Sequence, residues 1–383
     1  MDIASMLKRE DFYTILKNTL CTYYRRVYNS EIRVEYYPFD GSETLYIFSR
    51  LSFIARKKVP SGAKEFLYSE YNIRGNRLKY LAGKLLVFIA THSGGLGAVR
   101  KLYITEGVLG KNAFISPQNR SIRIFDYDTM TVDCIVKDGF TTAYFANQLA
   151  FRTNYRYDFV PPLMDAGDVW FRERIMRGHA LARVTDEKAY TNTEEQVVRF
   201  VSRLAQDTLT TASSCEYVRH LVESIRSGLA RAESEKHITT VAAMQTVVDN
   251  IEARITDMSI PLVISHGDLQ SGNIWLETDG RVWIYDWETQ KQRSIWYDSA
   301  TLLFATRRAG GLERMMASHD AEELFACDTQ TKRTPQAVRT AKDVVLLEDI
   351  LFYLEDMLEL PGTDGADIFE HFASRVLNLP KGE

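Results

Sequence analysis

The sequence predicts an α+β chain, and three observations carry that expectation. Short alternating runs crowd the stretch from about Lys101 to Lys137, residues 192–258 contain two long helical stripes and 334–359 another, and a Thr278-Asp-Gly280 turn between two apolar runs reads as a hairpin. With 383 residues, 45% hydrophobic and 26% charged, the chain is long enough for two or three packed units of ordinary globular chemistry.

Ser5 to about Asn29 has helical spacing through Leu7, Phe12, Ile15, Leu16, Leu20 and Tyr23, and Glu31 to Tyr36 then alternates like a strand. Apolar runs between 45 and 92 end in Leu85-Leu-Val-Phe-Ile-Ala90, read here as a strand, followed by Ser93-Gly-Gly-Leu-Gly97. Glycines 94, 95 and 97 offer backbone N–H groups to a phosphate, but they do not fit G-x-G-x-x-G, and a plain loop is the simpler reading. Residues 1–100 are therefore set apart as an additional N-terminal α/β region whose role the sequence leaves open.

Next come Lys101-Leu-Tyr-Ile, Asn112 to Ser116, Ser121 to Asp126 and Thr131 to Lys137, all strand-like, and Thr141 to Arg152, helical. Phe159 to Gly178 reads as two strands around an Ala-Gly-Asp turn. Glu194–Thr208 and Thr239–Met258 carry apolar residues at three- and four-residue steps, Ile260–Ser265 is a strand, and Leu302–Met316 and Thr334–Glu359 are again helical.

A net charge of -4 argues against a general nucleic-acid binder, which needs surplus Lys and Arg on one face. Cys21, Cys134, Cys215 and Cys327 lie far apart with no zinc-like spacing, and read as free thiols of a reducing cytoplasm. The amino terminus is charged too early for a signal peptide, and no apolar run reaches the roughly 20 residues of a membrane span.

The chemistry concentrates in Ile264-Ser-His266-Gly-Asp268-Leu-Gln-Ser-Gly-Asn273 and Val282-Trp-Ile-Tyr-Asp286-Trp-Glu288. Phosphoryl transfer asks for a carboxylate near the attacking hydroxyl and for oxygen ligands that hold Mg²⁺ on the nucleotide phosphates. In H-x-D-x-x-x-x-N the Asp can accept the acceptor's proton and the Asn can offer its carbonyl oxygen to the metal; Gly267 and Gly272 let the loop bend. The hairpin after Asn273 brings Asp286 back beside it, and two hard oxygen ligands suit Mg²⁺. The competing reading, ordinary turn residues between core strands, is weakened because two motifs agree in order and spacing.

This pair of motifs resembles the aminoglycoside phosphotransferase and choline kinase superfamily, closely over Val263 to about Phe304 and in outline elsewhere. The resemblance implies a bilobal protein-kinase-like fold: a small antiparallel-sheet N-lobe with hinge over 101–178, a mainly helical C-lobe over 179–383, and the extra N-terminal region. It implies ATP and Mg²⁺ as cofactors, Asp268 as catalytic base, His266 as an orienting residue, Asn273 and Asp286 as metal ligands, and Asp298 as a brace for the loop. The third N-lobe strand usually presents a lysine to the α/β phosphates; Lys137 fits, with Lys111 as runner-up. The helix that should hold that lysine has no acidic residue, so another carboxylate reaches in, or Asn147 or Gln148 substitutes, or the lysine is a different one. Arg174, Ile175 and Met176 fall where family members lay adenine, acting through main chain.

Nine residues separate Glu288 from Asp298 and no A-P-E follows, which leaves no room for a peptide-docking activation segment. The expected acceptor is a small hydroxyl compound: a sugar, an aminoglycoside, choline or another amino alcohol. Glu348, Asp349, Glu355, Asp356 and Glu359 either line a cationic-acceptor site or form a solvated helix face, the latter being the commoner case. Trp287, Trp296 and Tyr297 either cage a quaternary ammonium or pack the interior. An atypical protein kinase and a pseudokinase or binding module remain as alternatives, the second supported by the acid-free helix.

Overall fold

The computed structural model describes residues 3–70, 77–92, 97–236, 238–359 and 364–379. The chain divides into two compact units, Met1–Thr193 with Ile274–Tyr285, and Glu194–Asn273 with Asp286–Glu383.

Unit 1 runs α1 (Ile3–Arg9), α2 (Phe12–Tyr28), β1 (Val34–Glu35), β2 (Ser42–Phe48), β3 (Phe53–Ala55), α3 (Ser61–Glu70), α4 (Arg77–His92), β4 (Arg100–Thr105), β5 (Ala113–Pro117), β6 (Ser121–Asp126), β7 (Thr131–Val136), α5 (Ala143–Asn154), β8 (Leu163–Ala166), β9 (Trp170–Arg174) and β10 (Gly178–Ala180). Strands β1 to β9 form one antiparallel sheet in the order β1-β4-β2-β3-β5-β6-β7-β9-β8. Residues 1–100 thus supply three strands of the same sheet that the sequence assigns to 101–178, and the additional region is built into it. The helical stretch read over 5–29 breaks at Glu10 because the Asp11 side chain accepts from the Thr14 N–H and caps α2; Asn29, at φ 49°, closes it.

The two faces of the sheet have different partners. Ile135, Ile124, Ile122 and Ile115 pack with Leu16, Leu20 and Tyr23 of α2, and there Asp133 accepts from the Tyr23 hydroxyl at 2.5 Å and from Arg172 Nε at 2.6 Å. On the other face Cys134 and Val136 meet Phe145 and Leu149 of α5 with Phe171. Farther along that face Phe114 and Phe125 stack at 4.8 Å, and Phe66 of α3 lies over both.

The run Leu85–Ala90 is helical, not a strand: in α4 Val87, Ala90 and Thr91 are buried and Leu85, Phe88 and Ile89 are exposed, a three- to four-residue period. Of the glycines after it, 94 and 95 fall outside the described residues.

Chain order continues with α6 (Glu187–Thr208), β11 (Thr210–Ser213), α7 (Ser214–Lys236), α8 (Val241–Arg254) and β12 (Ser259–Ser265). A hairpin follows, β13 (Ile274–Glu277) with β14 (Val282–Ile284), which belongs to unit 1 and pairs through β13 with β10. The chain ends with β15 (Lys291–Ser294), α9 (Trp296–Ser299), α10 (Gly311–Ala317), α11 (Pro335–Glu359) and α12 (Asp364–Leu377). Unit 2 is mainly helical around a small antiparallel sheet, β11-β12-β15, with β12 central. Because α11 is buried along most of its length, its charged residues Asp343, Glu348 and Asp349 are interior groups.

Candidate active site

Strand β12 ends at Ser265, and the chain turns at once. Asp298, 3% exposed, accepts from the Ser265 hydroxyl at 2.9 Å, the His266 N–H at 2.7 Å and the Gly267 N–H at 3.1 Å. Three donors on one buried carboxylate fix the bend, since each group left unpaired in the interior costs about 1–3 kcal/mol. Gly267 sits at φ 87°, and a Cβ there falls 2.5 Å from both Arg293 Nη1 and the Thr289 carbonyl. No side chain fits. His266 is fully buried on Trp287, ring centroids 4.6 Å apart, and its Nδ1 accepts from the Asp268 N–H at 3.2 Å.

The loop aims Asp268 outward and then holds it. Its Oδ2 accepts from Gln270 Nε2 at 3.0 Å and from Asn273 Nδ2 at 3.1 Å, and Asn273 Nδ2 also reaches the Asp268 carbonyl at 2.9 Å. Arg307 Nε stands 3.4 Å from Oδ1. The Asp268 side chain keeps 22% exposure. Burial raises its pKa above the usual carboxylate value, with Arg307, Gln270 and His266 opposing the rise and Asp286 adding to it.

Both Asn273 amide hydrogen bonds engage the nitrogen, which turns its Oδ1 the other way. The Ile274↔Ile284 pair closes the ladder of the hairpin, and Asn273 and Asp286 flank its open end in the chain. Asp286 adopts φ 68°, ψ 52°, a left-handed conformation uncommon outside glycine, asparagine and aspartate. Backbone conformations of this kind recur at functional sites. Amide oxygen and carboxylate are hard donors of the kind Mg²⁺ prefers, and Mg²⁺ commonly takes few protein ligands. Among the described residues no group of three or more His, Cys, Asp or Glu is placed to hold a metal.

Arg307 escapes a sequence reading. It is 6% exposed, donates to Asp349 at 2.7 Å, the Tyr297 hydroxyl at 2.6 Å and the Gly267 carbonyl at 3.2 Å, and lies 3.8 Å over the Phe352 ring. Arginine in an irregular segment has no motif of its own, and its partners Gly267 and Asp349 lie 40 residues before it and 42 after. The acidic residues of α11 are likewise not a solvated face throughout: Asp349 holds Arg307, and Glu348 accepts from the Ser294 N–H at 2.6 Å, the Ser294 hydroxyl at 2.7 Å and the Tyr217 hydroxyl at 2.6 Å. Glu355 pairs with Lys291. Trp287, Trp296 and Tyr297 are each 1% exposed or less, which makes them interior packing and not a cage open to a ligand.

In unit 1 the structure takes Lys137 somewhere other than the resemblance implies. A lysine held from the following helix has to share the face of Cys134 and Val136, where α5 packs. Strand alternation puts Lys137 on the opposite face. There its ammonium, on a side chain 1% exposed, meets Glu10 at 2.6 Å and the Met6 sulfur at 3.5 Å, and burial pushes its pKa down to about 8 against the pull of Glu10. Lys111 is exposed in the turn before β5.

The α5 face carries a different charge pattern. Register places Arg123 of β6 across from Cys134, and Cys134 across from Phe171, so all three share that face. Arg152 of α5 donates to Glu173 of β9 at 2.7 Å, both side chains under 5% exposed. The helix supplies the cation and the strand the acid, a reversal of the expected pair. Arg174 reaches Glu277 at 3.1 Å and the Met176 sulfur at 2.9 Å; Ile175 and Met176 are buried, and the Ile175 N–H donates to the Met130 carbonyl at 2.9 Å.

No family model and no curated protein matches the chain. Solved structures do. A Plasmodium vivax ethanolamine kinase aligns at 13% identity and TM-score 0.48 over 83% of this chain and 92% of that one. The choline kinase LicA of Streptococcus pneumoniae aligns at 12% identity and TM-score 0.44 over 71% and 91%, and a macrolide 2'-phosphotransferase type I at 14% and 0.46 over 70% and 91%. The chemistry below rests on the chain's own residues.

Proposed function

We propose that this chain is an ATP- and Mg²⁺-dependent kinase that transfers a γ-phosphate to a hydroxyl of a small acceptor such as a sugar, an aminoglycoside or an amino alcohol. The observation that carries the reading is the braced loop: a partly exposed Asp268, held through one oxygen by two amides, on a bend fixed by three hydrogen bonds to buried Asp298.

Asp268 takes the acceptor's hydroxyl proton as the oxygen attacks. Its raised pKa favours that role, because a general base works best when its pKa approaches the working pH. Arg307 keeps the carboxylate ionised and limits the rise. Gln270 and Asn273 fix the rotation of the carboxylate, and His266, behind the bend, fixes the Asp268 main chain. Asn273 Oδ1 and the Asp286 carboxylate are the groups that would hold Mg²⁺, which when bound would neutralise charge on the nucleotide phosphates. For the adenine we retain the main chain of Arg174, Ile175 and Met176, with the Ile175 N–H already committed to Met130. Lys137 is left out: its face and its partner make it a clamp between β7 and the α1–α2 junction. Arg123, on the α5 face that a phosphate-binding lysine would occupy, is the cation we propose for the phosphates in place of Lys137.

The test measures ATP consumption with Mg²⁺ over a panel of sugars, amino alcohols and aminoglycosides, with Asp268→Ala and Asp286→Ala beside the unmodified chain. Acceptor-dependent turnover that both substitutions abolish is the expected result. Turnover untouched by Asp268→Ala would remove the mechanism, and label on protein with none on small acceptors would make it a protein kinase. A non-catalytic binding role is the second reading. Helix α5 favours it, carrying no acidic residue to hold a phosphate-binding lysine. Absence of both turnover and thermal stabilisation by Mg·ATP would decide for it.

A further inference from the structure

Helix α4 is apolar on two sides. Val87, Ala90 and Thr91 pack inward, the first two in a cluster with Val59, Ala63 and Leu67. Outward, Leu78 (80% exposed), Leu81 (61%), Leu85 (59%), Phe88 (53%) and Ile89 (38%) follow three- and four-residue steps and fall within an arc of roughly 100°. Five large apolar side chains in one exposed stripe are uncommon on a surface that has no partner.

Charge says what kind of partner fits. Between Arg50 and Lys101 the sequence has eleven Lys and Arg against two acids, Glu65 and Glu70, whereas the rest of the chain has 36 basic and 49 acidic residues. The helix itself carries no Asp or Glu. Exposed Lys57 and Lys58 precede Val59, and the ammonium of exposed Lys101 lies 5.8 Å over the Tyr46 ring; Val59 and Tyr46 pack in the same cluster as Val87. The basic surplus therefore borders the helix that shows the stripe. A symmetric second copy would set this surplus against itself, which like-charge repulsion disfavours. A bilayer with anionic headgroups meets both features at once, taking the apolar stripe below the headgroups and pairing the basic rim with them.

We propose that α4 docks this chain on an anionic lipid surface, lying in the membrane plane with Leu78, Leu81, Leu85, Phe88 and Ile89 inserted at the headgroup–acyl boundary. At 16 residues α4 extends about 24 Å, and among the described residues no helix is long and apolar enough to cross a membrane. Docking is peripheral. It does not depend on the kinase reading.

The experiment is co-sedimentation of the full chain with phosphatidylcholine vesicles with and without phosphatidylglycerol, comparing the unmodified protein with Leu85→Glu/Phe88→Glu and with Lys57→Glu/Lys58→Glu. Both substituted pairs are surface residues, and circular dichroism checks that the fold persists. Expected are binding that requires phosphatidylglycerol, a loss of about tenfold or more in Leu85→Glu/Phe88→Glu, and a smaller loss with shallower salt sensitivity in the lysine pair, whose electrostatic share of the binding is gone. Absence of vesicle binding, or binding that the apolar pair leaves unchanged, overturns the proposal. So does a lipid-free dimer, seen by sedimentation velocity, that Leu85→Glu/Phe88→Glu dissolves; the stripe would then belong to a second copy. Equal, Phe88-dependent binding to polyglutamate would assign it to an acidic protein.

Discussion

Lys137 in unit 1 and Asp268 in unit 2 are both charged groups that the sequence nominates for the same reaction, and the structure treats them oppositely. Lys137 is 1% exposed, with Glu10 at 2.6 Å, while Asp268 keeps 22% exposure and one oxygen beyond the reach of its two amide donors. A buried pair is closed: its desolvation is offset by its partner, and a ligand gains nothing by competing. A carboxylate held by amides through one oxygen, with Arg307 3.4 Å from the other, is oriented and still partly open to solvent. The difference teaches that partners decide the role more than residue type does.

The comparison breaks most visibly at Asp268. Asp268→Asn keeps both amide contacts on one side and removes the base, and kcat is expected to fall on the order of 10²–10⁴-fold with nucleotide affinity retained. Stopped assays of acceptor phosphorylation with parallel nucleotide titration read both quantities; a fall in affinity with kcat unchanged would make Asp268 a binding group only.

Lys137→Met tests the other side. It leaves Glu10 buried without its cation, so stability should drop by about 3–5 kcal/mol, and Glu10→Gln in the same chain should restore a good part of it. Urea unfolding measures both. A stable Lys137→Met that simply loses nucleotide would reinstate the lysine as a phosphate ligand.

Why one site was legible and the other was not follows from distance along the chain. His266, Gly267, Asp268, Gln270 and Asn273 lie within eight residues and hold one another, so spacing alone encodes most of the loop. Asp298 lies only 30 residues beyond Asp268 and belongs to the same motif region. The hairpin was readable from its Asp-Gly turn. Lys137 needed two long-range facts: which face of β7 the next helix covers, and that the α1–α2 junction, 127 residues earlier, brings Glu10 to the other. Strand alternation fixes only that Val136 and Lys137 point opposite ways. Leu85–Ala90 misled for a related reason, since a helix apolar on both sides loses the period that separates it from a strand. Helix α7 went unread although it is among the longest, its buried positions set among many charges.

Glu348 brings a third buried charge into the comparison, one with hydrogen bonds but no ion pair at contact distance among those that fix it. Burial raises its pKa from 4.5 to about 7, against the Tyr217 and Ser294 hydrogen bonds. In the unfolded chain it ionises near 4.5, so between about 4.5 and 7 the folded state binds more protons and stability falls as pH rises. The full loss, reached above pH 7, is on the order of 3 kcal/mol. Glu348→Gln keeps the shape and cannot ionise, so its melting temperature should decline less across that window. Parallel slopes for the two proteins would mean that the carboxylate stays ionised in the fold.

The smallest effect separates the two cations of unit 1 directly. Arg123 shares its sheet face with Cys134, Phe171 and, through α5, the Arg152–Glu173 pair, whereas Lys137 faces α1 and α2. If Arg123 meets the nucleotide phosphates, Arg123→Met should raise KM for ATP about tenfold, the scale of one charge-assisted hydrogen bond, with a smaller change in kcat. Arg123→Lys keeps a positive charge but not the planar fork, and belongs between the two. The same measurement on Lys137→Met/Glu10→Gln should leave KM near that of the unmodified chain, because that pair is replaced as a unit on the far face. A KM that rises in the Lys137 variant and stays put in Arg123→Met would reverse the assignment, and would require the strand end at Val136 to turn over when nucleotide binds.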